Sequence, residues 1–523
     1  MTPAANSPSP IKHVFVLMLE NRSFDHVLGF SALTGIDAVT GSPTRANGID
    51  PAAPPTNPNP RRASEPVAAN ANGTPFQLSN THKDPGHEFE NTMTCLCGAG
   101  AWGPPNVDAN GKLVGRYPAA APGKANSGFV ANYAACGSDR PEWAMNSYTP
   151  AQLPVINALA REFVVCDAWY SSLPGPTWPN RFFVHAASSG GLDASPSDGA
   201  TIEDYVAGFD LPNGTIFDKL SARGLNWKII EGDSFPQVLA IKGMTLAEMD
   251  GHFHDMDDFA AVINDAAFDA AYVFIEPDYD VSHNFQGGNS MHPLGDVRKG
   301  EQLVKTVYET LRASRVWQDS LLVVLFDEHG GFYDHMVPPA ATPPGDAGPG
   351  SRYNTHNFAF DRLGLRVPCI IASPRVGKNV IDHRQYDHSS IPKTLTHLFG
   401  LAGPLTARDG AANSFDSLIG STPRDTPLTL PAPAPGPLGA VTETASPADA
   451  SAAGFARIAL ARHLRVAPAE QQQAIKDNFQ KSRGDANATS AFLSTADAAI
   501  RQWKQRGRQM PPPPSDEQAA SRP

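Results

Sequence analysis

Cysteine is scarce: Cys95, Cys97, Cys136, Cys166 and Cys369 are the five in a chain of 523 residues. An odd handful excludes a disulfide-built scaffold, and the Cys95/Cys97 pair has no second pair at zinc-finger spacing. Positive charge is short as well, 41 Lys and Arg against 53 Asp and Glu, for a formal net charge of -12. Nucleic-acid binding needs a basic footprint, so no nucleic-acid partner is expected. Long apolar runs are missing. The first, Val14 to Leu19, is far too short to span a bilayer, and no later run approaches that length. Membrane contact is therefore expected at the surface only. The first positive charge, Lys12, follows an Ala/Ser/Pro-rich start, unlike a secretory signal, whose charged stretch comes first. A cytoplasmic location is the expectation, with secretion or the periplasm as the alternative. No internal repeat is found, and the paired glycines lack the strand–GxGxxG–helix setting of a dinucleotide site.

What is present is ordinary globular material, 41 % hydrophobic and 18 % charged, able to bury a sizeable core. Six short apolar runs read as buried strands: 14–19, 163–166, 227–230, 272–275, 321–326 and 367–371. A polar residue follows each closely: Glu20, Asp167, Glu231, Glu276, Asp327 and Ser373. Helical stretches between them, such as 300–314 and 389–398, predict an α/β fold, a mostly parallel central sheet with helices on both faces. Ligands of such sheets bind beyond the carboxyl ends of the strands, and carboxylates gathered there call for a cation. The prolines cluster. The expected organisation is a body over 1–420, a Pro-rich linker over 421–450, a helical appendage over 451–510 and a disordered tail over 511–523. The appendage carries ten Lys and Arg against four Asp and Glu. It reads as helices packed on the acidic body, with an anionic lipid surface as the sharper alternative.

Four constellations carry chemistry. Glu20 and Asn21, directly after the first strand, place two oxygen-bearing side chains within reach of a hard divalent cation; the plainer reading is a turn capping a helix that begins near Ser23. Asp327 and Glu328 end the strongest apolar run and precede two glycines, where buried acids must be paired or metal-bound. In SSLPGPTWPNRFF the PGP bend and Pro179 put Thr177 at or near a helix N-cap. Free amides there favour an anion, and a cation could make the hydroxyl a nucleophile. Finally, His87, His283, His292, His329, His335 and His388 lie beside acids and glycines in presumed strand-end loops, suited to phosphate binding, metal ligation or proton transfer.

Four motifs follow one another in a set order: ENRSFDH, PGPTWPNRF, HPxGDxxxGE (292–301) and DEHGGFYDH. In that order they resemble the bacterial phosphoesterase family that contains phosphatidylcholine-hydrolysing phospholipases C and an acid phosphatase, of alkaline-phosphatase-like fold. The resemblance covers about residues 11 to 400. It implies a phosphoester substrate, small or phospholipid, hydrolysed through a phosphothreonine. Thr177 would be nucleophile and metal ligand, with Glu20, Asn21, Asp327 and Glu328 completing the metal shell. His87, His283 and His292 would bind or protonate the phosphate, and Asn180, Arg181, His335 and His388 would face the substrate. One divalent ion is expected, since Asp278, Asp280, His283 and His388 do not assemble an unambiguous second shell. Oxygen ligands favour Ca²⁺, Mg²⁺ or Mn²⁺ on softness, while geometry keeps Zn²⁺ open. Two alternatives stand beside this reading. A sulfatase or phosphonate hydrolase would need Cys or Ser in a C/S-x-P-x-R context, where this chain has Thr177. A non-catalytic metal- or anion-binding relative would have no need of a hydroxyl at a helix start.

Overall fold

The computed structural model describes residues 9–79, 81–196, 201–248, 250–442 and 452–509. The expected tail and the last part of the linker, 443–450, lie outside the described residues. Ten strands form the main sheet: β1 (His13–Leu19), β2 (Thr34–Asp37), β3 (Pro43–Arg45), β4 (Val164–Cys166), β5 (Trp227–Glu231), β6 (Phe253–Asp255), β7 (Tyr272–Glu276), β8 (Ser320–Phe326), β9 (Cys369–Ala372) and β10 (Val380–Asp382). Their spatial order is β3-β2-β10-β4-β9-β8-β1-β7-β5-β6. Every residue of β1 and β8 is buried, which is why both read as unbroken apolar runs with no alternation. β1 sits between β7 and β8, parallel to each, with Val14 opposite Tyr272 and Leu19 opposite Phe326.

The sheet is mixed. β9 runs antiparallel to both its neighbours, β8 and β4. Ser373, expected at the carboxylate end, therefore falls at the opposite end, where its hydroxyl donates to the carbonyl of Ser320 at the start of β8 (2.7 Å). Among the remaining strand-end acids, Glu276 accepts from the Gln237 and Val238 amides at 2.8 and 2.9 Å. Asp167 accepts from the Asn47 amide at 2.7 Å.

Two helices matter for the site: α1 (Thr177–Ala186) and α2 (Val297–Ala313). Glu301 of α2 accepts from the Val155 and Ile156 amides, both at 2.8 Å, so it caps the helix Pro154–Glu162 from outside. Residues 423–442, read as linker, run along α2, where the Tyr308 hydroxyl donates to the Pro427 carbonyl (2.7 Å).

The appendage is three helices: α3 (Ala452–Val466), α4 (Gln472–Ser482) and α5 (Ala486–Gln509). It is joined to the sheet by buried charge. Arg462 donates to Glu231 (3.0 Å) and Glu248 (2.9 Å), and Lys504 donates to Glu231 and Asp255, both at 2.6 Å. The Phe455 ring lies 5.1 Å from Trp178 and 5.2 Å from Tyr279. A Cβ on Gly454 would stand 2.3 Å from the Trp178 ring, so only glycine fits there.

Candidate active site

Because β1 and β8 are parallel neighbours in register, their ends deliver Glu20, Asn21, Asp327 and Glu328 side by side. Asn21 adopts the left-handed conformation, φ 56°, and turns the chain off the sheet. Its amide N–H donates to Asp327 Oδ1 at 2.9 Å, and the Glu328 N–H donates to the same oxygen at 2.6 Å. The Asn21 side-chain Nδ2 lies at the centre. It donates to Glu328 Oε1, to Thr177 Oγ1 at 3.3 Å and towards His87 Nε2 at 3.3 Å. Glu328 Oε2 accepts from the Gly330 N–H at 2.8 Å. Gly330 has φ +61°, and a Cβ there would stand 2.0 Å from the Asn21 carbonyl oxygen, so the glycine lets the two loops meet.

Thr177 is the first residue of α1, preceded by Pro176 in extended conformation, and is 3 % exposed. The bend is held by Asn180, whose Nδ2 donates to the Gly175 and Pro176 carbonyls at 2.9 and 3.0 Å. The hydroxyl thus stands at a helix start, the end that favours negative charge. Burial pushes the Asp327 carboxyl up to about 6, against the pull of the Arg181 guanidinium and with the help of the neighbouring Glu328 charge. Burial would raise Glu328 too, but His87 and His329 hold it below its ordinary value.

The structure brings Asn21, Thr177, Asp327, Glu328 and His87 together. Glu20 follows β1 directly, its Oε1 accepting from Gln237 Nε2 at 3.2 Å. Asn180, Arg181, His283 and His388 stand differently. Asn180 is fully buried in the bend. Arg181 is 1 % exposed and bonded to Asp327 Oδ2 (3.2 Å) and to the Met18 and Leu19 carbonyls (both 3.2 Å). Both bond to groups of the scaffold. The His283 side chain is 53 % exposed, bonded to Asp280 at 2.6 Å, and shares no contact with the cluster. His388 is buried beneath it: its Nε2 donates to the Asp327 carbonyl (2.6 Å) while its Nδ1 accepts from Trp169 Nε1 (3.3 Å).

His335 belongs to a separate group. Among the described residues, Asp25, Asp334 and His335 offer ligand-type atoms within 4.8 Å of one another, an arrangement able to hold a cation. A cation already stands there, because Arg366 donates to Asp25 at 3.0 Å and to Asp334 at 2.9 and 3.1 Å.

His292 is buried. Its ring stacks on Phe285 at 3.8 Å, and its Nε2 lies 3.5 Å from Asp84 Oδ2. Sequence reasoning passed over Asp84 and Gln237. The first stood in plain view, three residues before His87 in DPGH; the second carries no motif at all.

The fold and this cluster define an α/β enzyme with a hydroxyl, two acids and an imidazole gathered at the carboxyl ends of adjacent strands. The sequence profile of the Phosphoesterase family matches residues 11–402. Non-specific phospholipase C3 of Arabidopsis thaliana is 38 % identical over 446 residues, 82 % of this chain and 77 % of that protein. Phospholipase C B of Mycobacterium tuberculosis is 28 % identical over 455 residues, 79 % and 78 % of the two chains. Among solved structures, a protein of the alkaline phosphatase superfamily from Vibrio parahaemolyticus aligns over 51 % of this chain and 66 % of its own, at 14 % identity and a TM-score of 0.29. The chain belongs to the phosphoesterase family and is a hydrolase of phosphoester bonds. No helix among the described residues is long and apolar enough to cross a membrane.

Proposed function

We propose that this chain is a metal-dependent phospholipase C-type phosphoesterase that works through a covalent phosphothreonine at Thr177. The observation that carries the reading is the meeting of Thr177 Oγ1 with the Asn21 amide, which also touches Glu328 and His87. The phospholipase C relatives supply the substrate class, a phospholipid diester. The residues fit one divalent ion: Asn21 Oδ1 is buried without a hydrogen-bond partner, and the donor set of Glu20, Asn21, Thr177, Asp327 and Glu328 is all oxygen. When bound, such an ion lowers the pKa of a ligating hydroxyl and neutralises phosphoryl charge.

The chain's own residues do the rest. Thr177 Oγ1 attacks phosphorus from the start of α1, whose free amides and dipole add roughly 0.3–1 kcal/mol of anion stabilisation. A histidine gives its proton to the departing alkoxide, leaving Thr177 joined through phosphorus to the headgroup, and water then releases the headgroup phosphomonoester from Thr177. Thr177→Ser, which keeps the oxygen, should retain substantial turnover of p-nitrophenyl phosphorylcholine. Thr177→Ala should lose roughly 10³-fold or more in kcat while staying folded. Mass spectrometry of wild-type enzyme quenched on that substrate should place a phosphorylcholine group on Thr177. Near-normal turnover by Thr177→Ala would mean that water attacks phosphorus directly, and the covalent route would be wrong.

A further inference from the structure

Two buried amides beside the acids are set the same way round. Asn21 Nδ2 donates to Glu328 Oε1, and Gln237 Nε2 donates to Glu20 Oε1 at 3.2 Å. The opposite orientation would turn an amide oxygen on a carboxylate, so chemistry fixes which end faces the acid. Each amide keeps its oxygen to spare. Asn21 Oδ1 and Gln237 Oε1 are both buried with no hydrogen-bond partner among the described residues. A bare carbonyl oxygen out of reach of bulk water is costly, and its usual explanation is an ion or an ordered water. Gln237 is also held firmly. It is 1 % exposed and opens the short 3₁₀ turn Gln237–Ala240 directly after Pro236, and its backbone N–H donates to Glu276 Oε2 at 2.8 Å. Glu276 in turn lies 3.8 Å from Arg181, which bonds Asp327 Oδ2 at 3.2 Å. Gln237 thus joins the cluster twice, through Glu20 and through Glu276 and Arg181.

We propose that Gln237 is a further protein donor to the divalent ion: its Nε2 holds Glu20 in place, and its Oε1 ligates the ion. This rests on the metal-dependent reading above and adds one residue to the five named there. An amide oxygen is a hard, neutral donor of the kind that Ca²⁺, Mg²⁺ and Mn²⁺ accept. Neutrality matters at this position. A carboxylate at 237 would face Glu20 and repel it before an ion arrives, whereas the amide attracts Glu20 through Nε2 and still offers an oxygen.

A crystal structure of the full chain loaded with Mn²⁺ tests this directly, the ion being located by its anomalous scattering. Gln237 Oε1 should lie about 2.0–2.6 Å from the ion, the range of oxygen-bound divalent cations. In calorimetric titration of the chelator-stripped chain, Gln237→Ala and the similarly sized Gln237→Met should bind Mn²⁺ about 10- to 100-fold more weakly than wild type. The bond to Glu276 is made by the backbone, so neither variant removes it. An ion held by the acids with Gln237 Oε1 more than about 3 Å away would overturn the proposal. Unchanged Mn²⁺ affinity in both variants would do the same. The crystal structure is read on wild type, so it decides the matter even if neither variant folds. A wild-type chain that takes up none of Mn²⁺, Mg²⁺, Ca²⁺ and Zn²⁺ would overturn the metal reading above, and this proposal with it.

Discussion

A histidine's chemistry is set by what folding brings against it, and this chain shows the range. His185, on α1, is fully buried, with Phe274 at 4.5 Å, Phe217 at 5.3 Å and no hydrogen-bond partner at Nδ1. Burial, helped by the Arg181 charge, lowers its pKa to about 3. The unfolded chain holds an ordinary imidazole near 6.5, so it takes the proton first. Stability is then fully present above about pH 6.5 and falls as pH drops towards 3, by as much as roughly 5 kcal/mol. His185→Phe should move the acid-unfolding midpoint, followed by tryptophan fluorescence, to lower pH; coincident midpoints would refute this. The setting that singled out His87 in the sequence, a loop with acids and glycines, singled out His283 as well. The acids and Asn21 were legible because the adjacent strand determines their position, whereas a histidine needs its tertiary neighbours. That is why His283 and His335 lie apart from the cluster and His388 lies beneath it.

At the level of elements, burial decided what could be read. Strands covered on both faces are plain in the sequence as apolar runs. The short outer strands β2, β3 and β6 were not read, nor was β10, three residues long. In β2, TGID, exposed and half-buried positions alternate, leaving too little apolar signal. Strand direction was illegible too, so β9 sent Ser373 to the wrong end. The HPxGDxxxGE motif shows a helix engaged from outside. Leu153, the N-cap of helix Pro154–Glu162, offers no side-chain acceptor, and Glu301 accepts the two orphan amides instead. Glu301→Ala should leave both unsatisfied and lower stability by about 1–3 kcal/mol, read as a shift in the urea midpoint. An unchanged midpoint would show that water replaces the carboxylate without loss.

Over the whole molecule, charge joins the appendage to the body. The excess of basic residues at 451–510 was visible, but which of them face the acids of the sheet was not. Arg462 is 1 % exposed and sits between Glu231 and Glu248. Truncating one partner of a buried pair typically costs about 3–5 kcal/mol, so Arg462→Ala should sharply destabilise the protein towards chemical denaturation. A change below about 1 kcal/mol would mean that water reaches the two glutamates. The sheet's order has a consequence for synthesis. β1 is made before both its partners, β7 and β8, which lie about 260 to 310 residues further along the chain. At about 5–20 residues per second the HVFVLML segment leaves the ribosome roughly 15 to 60 seconds before its second neighbour exists. Throughout that interval both its edges are open to other nascent chains. Lys12 and Glu20 flank the segment with charge, the placement that disfavours aggregation of an exposed apolar run.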